Sequence, residues 1–208
     1  MIKNMIEFVC TGNQGRSPVA ELVGQNYLLK QKLDYGTRSS GTLVALSKTG
    51  AIPLSVQSSI VDLGIERKIY SPSKCSDYKI ALNQENLAFV TSLFNEAVSY
   101  FANEELHHRE QVLKKFNIKG QVKSKQDQTI VHADALAVFS MAESNNKQVI
   151  SIYDNISEKP LISSLASFVT GNPDDTIPNA YGLGLKEYEK AVEQICYFVP
   201  KALDKLVK

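Results

Sequence analysis

The sequence is poor in cysteine, poor in net charge and free of long apolar runs. Its 208 residues hold three cysteines, Cys10, Cys75 and Cys196, an odd count with wide spacing. That argues against a disulfide framework or a thiolate zinc site. It suits a reducing, cytoplasmic compartment, where a reactive thiol stays available. The three histidines, His107, His108 and His132, have no ligand-like spacing with cysteines or carboxylates. Surface positions are expected for them, and no metal and no cofactor. Twenty-three basic and 22 acidic residues leave a net charge of +1. Bulk polarity therefore points neither to nucleic acid nor to a membrane surface, and any anion site has to be local. No apolar run reaches the length of a membrane span. The first apolar pieces are broken by Lys3, Asn4 and Glu7, which argues against a signal peptide. No tandem repeat or low-complexity tract stands out.

What is present suits one soluble domain over residues 1–208, with 43% hydrophobic and 22% charged residues. Residues 5–10 are short, apolar and partly β-branched, a buried strand. Residues 17–31 carry Val19, Leu22, Val23, Tyr27 and Leu28 at helical spacing. Ser17 is the expected N-cap, with Pro18 at the first helical position and Glu21 in the first turn. Residues 37–42 resemble the end of a second strand, and residues 53–63 a helix stopped by Gly64. Residues 134–141 form a third strand candidate. A short helix is expected after it, running into a strand near 149–153. Residues 171–182 are dense in turn formers. Residues 184–199 show one apolar helical face through Leu185, Tyr188, Val192, Ile195 and Val199. Pro200 should end or kink that helix before a last helical piece. Strands alternating with helices predict a mostly parallel sheet covered on both faces. Residues 71–130 differ: they read as a mainly helical insertion with an apolar face of Leu87, Val90, Leu93, Phe94 and Val98. That face either packs on the domain or forms a dimer contact, and the oligomeric state stays open.

The chemistry concentrates in Cys10-Thr11-Gly12-Asn13-Gln14-Gly15-Arg16-Ser17-Pro18. A loop between a strand and a helix start presents unpartnered backbone N–H groups, and the helix dipole adds positive charge. That is an anion site. Gly12 and Gly15 let the backbone approach the anion closely. Arg16 can clamp two phosphate oxygens in a planar fork. Cys10 sits at the mouth of the loop, where positive surroundings favour the nucleophilic thiolate. The Ser17 hydroxyl can cap the helix and hydrogen-bond that thiolate. Cys-x5-Arg alone more often marks a buried thiol and a solvated arginine. The preceding strand, the intervening glycines and the following Ser-Pro favour a device for attacking phosphorus.

With Val9 in front and Ala20-Glu21 behind, this segment resembles the signature of the low-molecular-weight protein tyrosine phosphatase family, V-C-x-G-N-x-x-R-S-P. Ser39-Ser40-Gly41-Thr42, the stretch from Ala51-Ile52-Pro53 to Gly64-Ile65, the segment from Asp134 to Met141, and Ile177-Pro178-Asn179-Ala180-Tyr181-Gly182 line up with further family segments in order. The resemblance fades over residues 71–130. It implies an α/β, three-layer, doubly wound, four-stranded parallel sheet with a mainly helical insertion. It also implies hydrolysis of a phosphorylated protein or small aryl phosphate by way of a cysteinyl-phosphate. Cys10 would attack, and Arg16 with the N–H groups of Thr11, Gly12, Asn13, Gln14 and Gly15 would stabilise the equatorial oxygens. Asn13 would brace the loop.

Two positions depart from that pattern. The proton-donor aspartate is replaced by Asn179, and an amide has no proton to give at neutral pH. Asp174 or Asp175 on the same loop could substitute, or be a solvated turn pair. Water could protonate the leaving group slowly, or the protein could bind phosphorylated partners and barely turn over. The second departure is Gly15, where many relatives carry a second cysteine. With Cys75 and Cys196 far off in sequence, a protective disulfide partner for Cys10 is missing. The thiol relay of arsenate reductases, which share the fold, is likewise a poor match. Tyr181 either stacks beside a substrate ring or belongs to the core. Lys114, Lys115, Lys119, Lys123 and Lys125 form a basic stretch, a solvated face or a means of steering an acidic phosphopartner.

Overall fold

A computed structural model describes residues 4–121 and 134–207. In chain order its elements are β1 (Met5–Cys10), α1 (Arg16–Gln31), β2 (Gly36–Gly41), α2 (Val44–Thr49), α3 (Leu54–Glu66), α4 (Pro72–Asn83), α5 (Leu87–Lys115), β3 (Ala135–Ser140), α6 (Glu143–Tyr153), β4 (Leu161–Ser164), α7 (Leu165–Thr170) and α8 (Leu185–Val207). All strand pairings are parallel, in the order β2-β1-β3-β4. This is the four-stranded α/β sheet expected from the sequence, with a mainly helical stretch between α3 and β3. His132, Lys123 and Lys125 lie outside the described residues. Among the described residues no helix is long and apolar enough to cross a membrane.

The pleat sorts the side chains of β1 onto two faces. Ile6, Phe8 and Cys10 join a core with residues of α1 and α8, including Val19, Val23, Tyr188, Ile195 and Val199. Val9 points the other way, with Val138, Val149 and Tyr153 of β3 and α6. Glu7 has the same parity as Val9 and is fully buried. It accepts from Arg38 Nε at 3.2 Å and from the Ser40 hydroxyl, both on β2. Arg38 also donates to Asp134 at 2.9 Å. A third apolar cluster lies among α3, α4 and α5, where Val90, Leu93, Phe94, Ala97 and Phe101 pack with Val61, Tyr70 and Tyr78. The apolar face of α5 is thus internal for most of its length, while Leu87 at its start is exposed.

Three local expectations are corrected. Gly64 does not stop α3, which runs on to Glu66. Gly64 is inside the helix because a Cβ there would approach the Tyr70 ring to 2.6 Å. Residues 149–153 are helical, not a strand: Asn145, Val149 and Tyr153 recur every four residues and are buried. The fourth strand comes later, at 161–164. Pro200 does not end the last helix, which is continuous from Leu185 to Val207 and includes the last helical piece. Burial of Val199, Ala202 and Leu203 on one face holds the helix together across the proline.

β1 is central in the sheet, and β2 and β3 flank it on opposite sides. The chain leaves β1 toward one face through α1 and leaves β3 toward the other through α6. In open α/β sheets the crevice at the carboxyl ends of such strands is where ligands bind. Cys10 is the last residue of β1, at that edge.

Candidate active site

The loop after β1 is held from three sides. From the β2 end, Thr42 and Leu43 donate backbone hydrogen bonds to the carbonyls of Cys10 and Thr11, each at 3.0 Å. Gly41 lacks a Cβ where one would come within 2.8 Å of the Thr11 carbonyl oxygen. From α6, Asn145 Nδ2 donates to Thr11 Oγ1 at 3.1 Å. Within the loop, buried Asn13 adopts a left-handed conformation, with φ of 50°, and donates to the Ser39 carbonyl at 3.4 Å.

Ser17 is not the helix cap. The helix begins at Arg16 after Gly15, and no side chain caps it. Its first N–H groups and the positive end of its dipole are therefore oriented to serve an anion. The Ser17 hydroxyl instead has three acceptors in reach: Cys10 Sγ at 3.0 Å, Asn13 Oδ1 at 3.0 Å and the Ser40 carbonyl at 3.2 Å. Its one proton serves one of them at a time. Arg16 is only 7% exposed, and Nη1 donates to the Ile177 carbonyl at 2.9 Å. That bond ties the β1–α1 loop to the segment carrying Asn179 and Tyr181. Burial lowers the guanidinium pKa of Arg16, while Cys10 and Glu105 oppose the shift.

Cys10, Thr11, Gly12, Gln14, Gly15 and Arg16 form the floor of a cavity of about 250 Å³. Val44, Ile52, Val56, Phe94, Val98 and Tyr181 supply an apolar wall. Asn179 is on the same lining. Tyr181 lines the cavity and packs edge-on against Phe101, with centroids 5.5 Å apart. Burial, then Glu105, pushes its phenol pKa upward. The two aspartates are elsewhere. Asp174 is exposed, and its N–H donates to Asn172 Oδ1 at 3.2 Å. Asp175 accepts from Asn172 Nδ2 at 3.1 Å. Neither lines the cavity.

Two charged residues of α5, not singled out in the sequence, complete the site. Arg109, 3% exposed, donates from Nη1 to the Gln14 carbonyl. Glu105, 8% exposed, lines the cavity, and a Cβ on residue 15 would overlap its carboxyl group. Glu105 Oε2 is buried without a hydrogen-bond partner among the described residues. Desolvation raises the pKa of this carboxyl to about 7, with Arg109 and then Arg16 pulling the other way. A signal for both was present. Phe101, Glu105 and Arg109 are spaced by four on a helix whose apolar stripe includes Phe101, so two charges fall on the buried face.

Comparison with other proteins finds resemblance in structure alone. No family model matches the sequence, and no curated protein matches it. Solved structures of like fold include a low-molecular-weight protein tyrosine phosphatase from T. tengcongensis, 21% identical, covering 97% of this chain and 99% of that one with a TM-score of 0.56. A drosophila arginine phosphatase is 18% identical, covers 98% of both chains and has a TM-score of 0.58. The YwlE arginine phosphatase from Geobacillus stearothermophilus is 18% identical, with 97% and 92% covered and a TM-score of 0.55. The chain therefore has the fold of the low-molecular-weight phosphatases.

Proposed function

We propose that the protein is a phosphatase that hydrolyses phosphotyrosine or similar aryl phosphate monoesters through a cysteinyl-phosphate on Cys10. The observation that carries this reading is the Ser17 hydroxyl 3.0 Å from Cys10 Sγ, on the floor of a cavity shared with Arg16. The hydroxyl can donate to the sulfur as the S–P bond breaks, and the guanidinium on the same floor can hold phosphoryl oxygens. The uncapped start of α1 and the loop N–H groups suit three phosphoryl oxygens. The apolar wall with Tyr181 suits an aromatic leaving group. Asn13 and Asn145 act through the loop, as positioning residues. The substrate is a phosphorylated protein or a small aryl phosphate, and the reaction needs no metal.

In the first step Sγ attacks phosphorus in line, the S–P bond forms, and the P–O bond to the leaving group breaks. In the second step water attacks phosphorus, the S–P bond breaks and inorganic phosphate leaves. Asn179 on the cavity lining favours a second reading, a phospho-binding or regulatory protein of weakened turnover. Incubation with a radiolabelled aryl phosphate and acid quenching separates the two. Label on the wild type, absent from Cys10→Ala, is expected for the phosphatase. Binding without label or turnover refutes it.

A further inference from the structure

Expulsion of an alkoxide or aryloxide from phosphorus goes faster when an acid protonates the departing oxygen. Among the described residues lining the cavity, four carry titratable groups: Cys10, Arg16, Glu105 and Tyr181. Cys10 is the nucleophile. Arg16 keeps its proton at any working pH. Burial moves the Tyr181 phenol further from neutrality. Asn179 has no proton to give, Asp175 accepts from Asn172, and neither Asp174 nor Asp175 is on the lining.

We infer that Glu105 is the general acid of this site, donating from its carboxyl group to the oxygen that leaves phosphorus. This rests on the phosphatase reading above. The geometry supports it in three ways. The carboxyl group is on the wall of the cavity whose floor holds Cys10 and Arg16. A Cβ of residue 15 would overlap its Oε1, so it belongs to the loop's immediate surroundings. Its Oε2 has no hydrogen-bond partner among the described residues, and a buried carboxylate oxygen without a donor is costly, so the site favours the protonated form. The titratable groups that face it are Arg109 from α5 itself, Arg16 from α1, Tyr181 from the loop after α7 and Tyr188 from α8. The two guanidinium groups favour ionisation and burial opposes it. The balance near neutrality is what an acid that also works as a base requires.

The proton balance closes over one cycle. As the S–P bond forms, the electron pair of the P–O bond goes to the leaving oxygen, which takes the Glu105 proton. The carboxylate so produced faces Arg16 and Arg109. In the second step it takes a proton from the attacking water while the S–P electron pair returns to sulfur. Glu105 is reprotonated, and Cys10 is again a thiolate.

The test compares full-length wild type, Glu105→Gln and Glu105→Gln/Asn179→Asp on 4-nitrophenyl phosphate and phenyl phosphate, following the phenol burst from pH 5 to 9. Glu105→Gln should lose about 100-fold in the burst rate on phenyl phosphate and less than about tenfold on the nitrophenyl ester. The alkaline limb of the wild-type profile near neutrality should vanish with it. Asn179→Asp should restore part of the loss. A readout without any variant is the leaving-group dependence of the wild type, expected to be shallow below pH 7 and steep above it. Equal losses on both substrates, or a wild-type leaving-group dependence that ignores pH, overturn the inference and leave the phosphatase reading standing. No phenol release from the wild type, in the burst or in steady state, overturns both.

Discussion

Replacing Glu105 with glutamine should flatten one step in the pH dependence of folding stability. In the folded protein the Glu105 carboxyl holds its proton up to about pH 7, because burial penalises the carboxylate more than Arg109 and Arg16 favour it. In the unfolded chain it ionises near its ordinary value of 4.5. Between those limits the folded state binds one more proton than the unfolded state, so the unfolding free energy falls as pH rises. Above the folded value both states are ionised and the loss is complete. Each pH unit of that window is worth 1.36 kcal/mol, so a shift from 4.5 to about 7 amounts to about 3 kcal/mol. Glutamine does not titrate. The stability difference between wild type and Glu105→Gln should therefore move by about 3 kcal/mol toward the variant from pH 4.5 to pH 8. With a urea slope of about 2 kcal/mol/M, that is about 1.5 M in the midpoint difference. Equilibrium unfolding in buffers free of phosphate, followed by circular dichroism, measures it. Other titrating groups cancel in the difference, so parallel curves for the two proteins would refute the account of Glu105.

Two further outcomes test the scaffold around the loop. Gly15→Ala places a Cβ where the Glu105 carboxyl group is. It should cost about 1–3 kcal/mol in urea unfolding, and much less when made in a Glu105→Ala background. Arg38→Met removes the cation beside the fully buried Glu7, which keeps the Ser40 hydroxyl as a donor. A loss of about 3 kcal/mol is expected in thermal or urea unfolding, and a loss below about 1 kcal/mol would show that Glu7 needs no counter-ion.

What could be read from the sequence and what could not divide along a physical line. β1 and the loop after it are legible because their causes are local: a β-branched apolar run, glycines, and Ser-Pro at a helix start fall within a few residues. Even there the capping role expected of Ser17 went to no side chain, since its hydroxyl faces Cys10, Asn13 and the Ser40 carbonyl instead. Residues 149–153 read as a strand because VISIY is β-branched, but packing of Val149 and Tyr153 at helical spacing overrode that propensity. β4 was hidden because LISS is short and only its last residue is buried. For Glu105 the spacing from Phe101 marks a charge on the buried face of α5, but nothing near it in sequence says which loop that face meets.

That contact joins two departures that look unrelated in the sequence. Glycine at 15 reads as a lost thiol, and asparagine at 179 reads as a lost acid. In the folded chain the carboxyl group of Glu105 occupies the space a side chain at 15 would need, and it lines the same cavity as Asn179. A side chain at 15 would force the Glu105 carboxyl group out of its present position. If Glu105 is the acid, the small residue at 15 is what admits it, and Asn179 is relieved of proton transfer. The two substitutions then have a single cause, and separate neutral losses at 15 and 179 would leave the buried, unpartnered carboxyl of Glu105 without a physical reason.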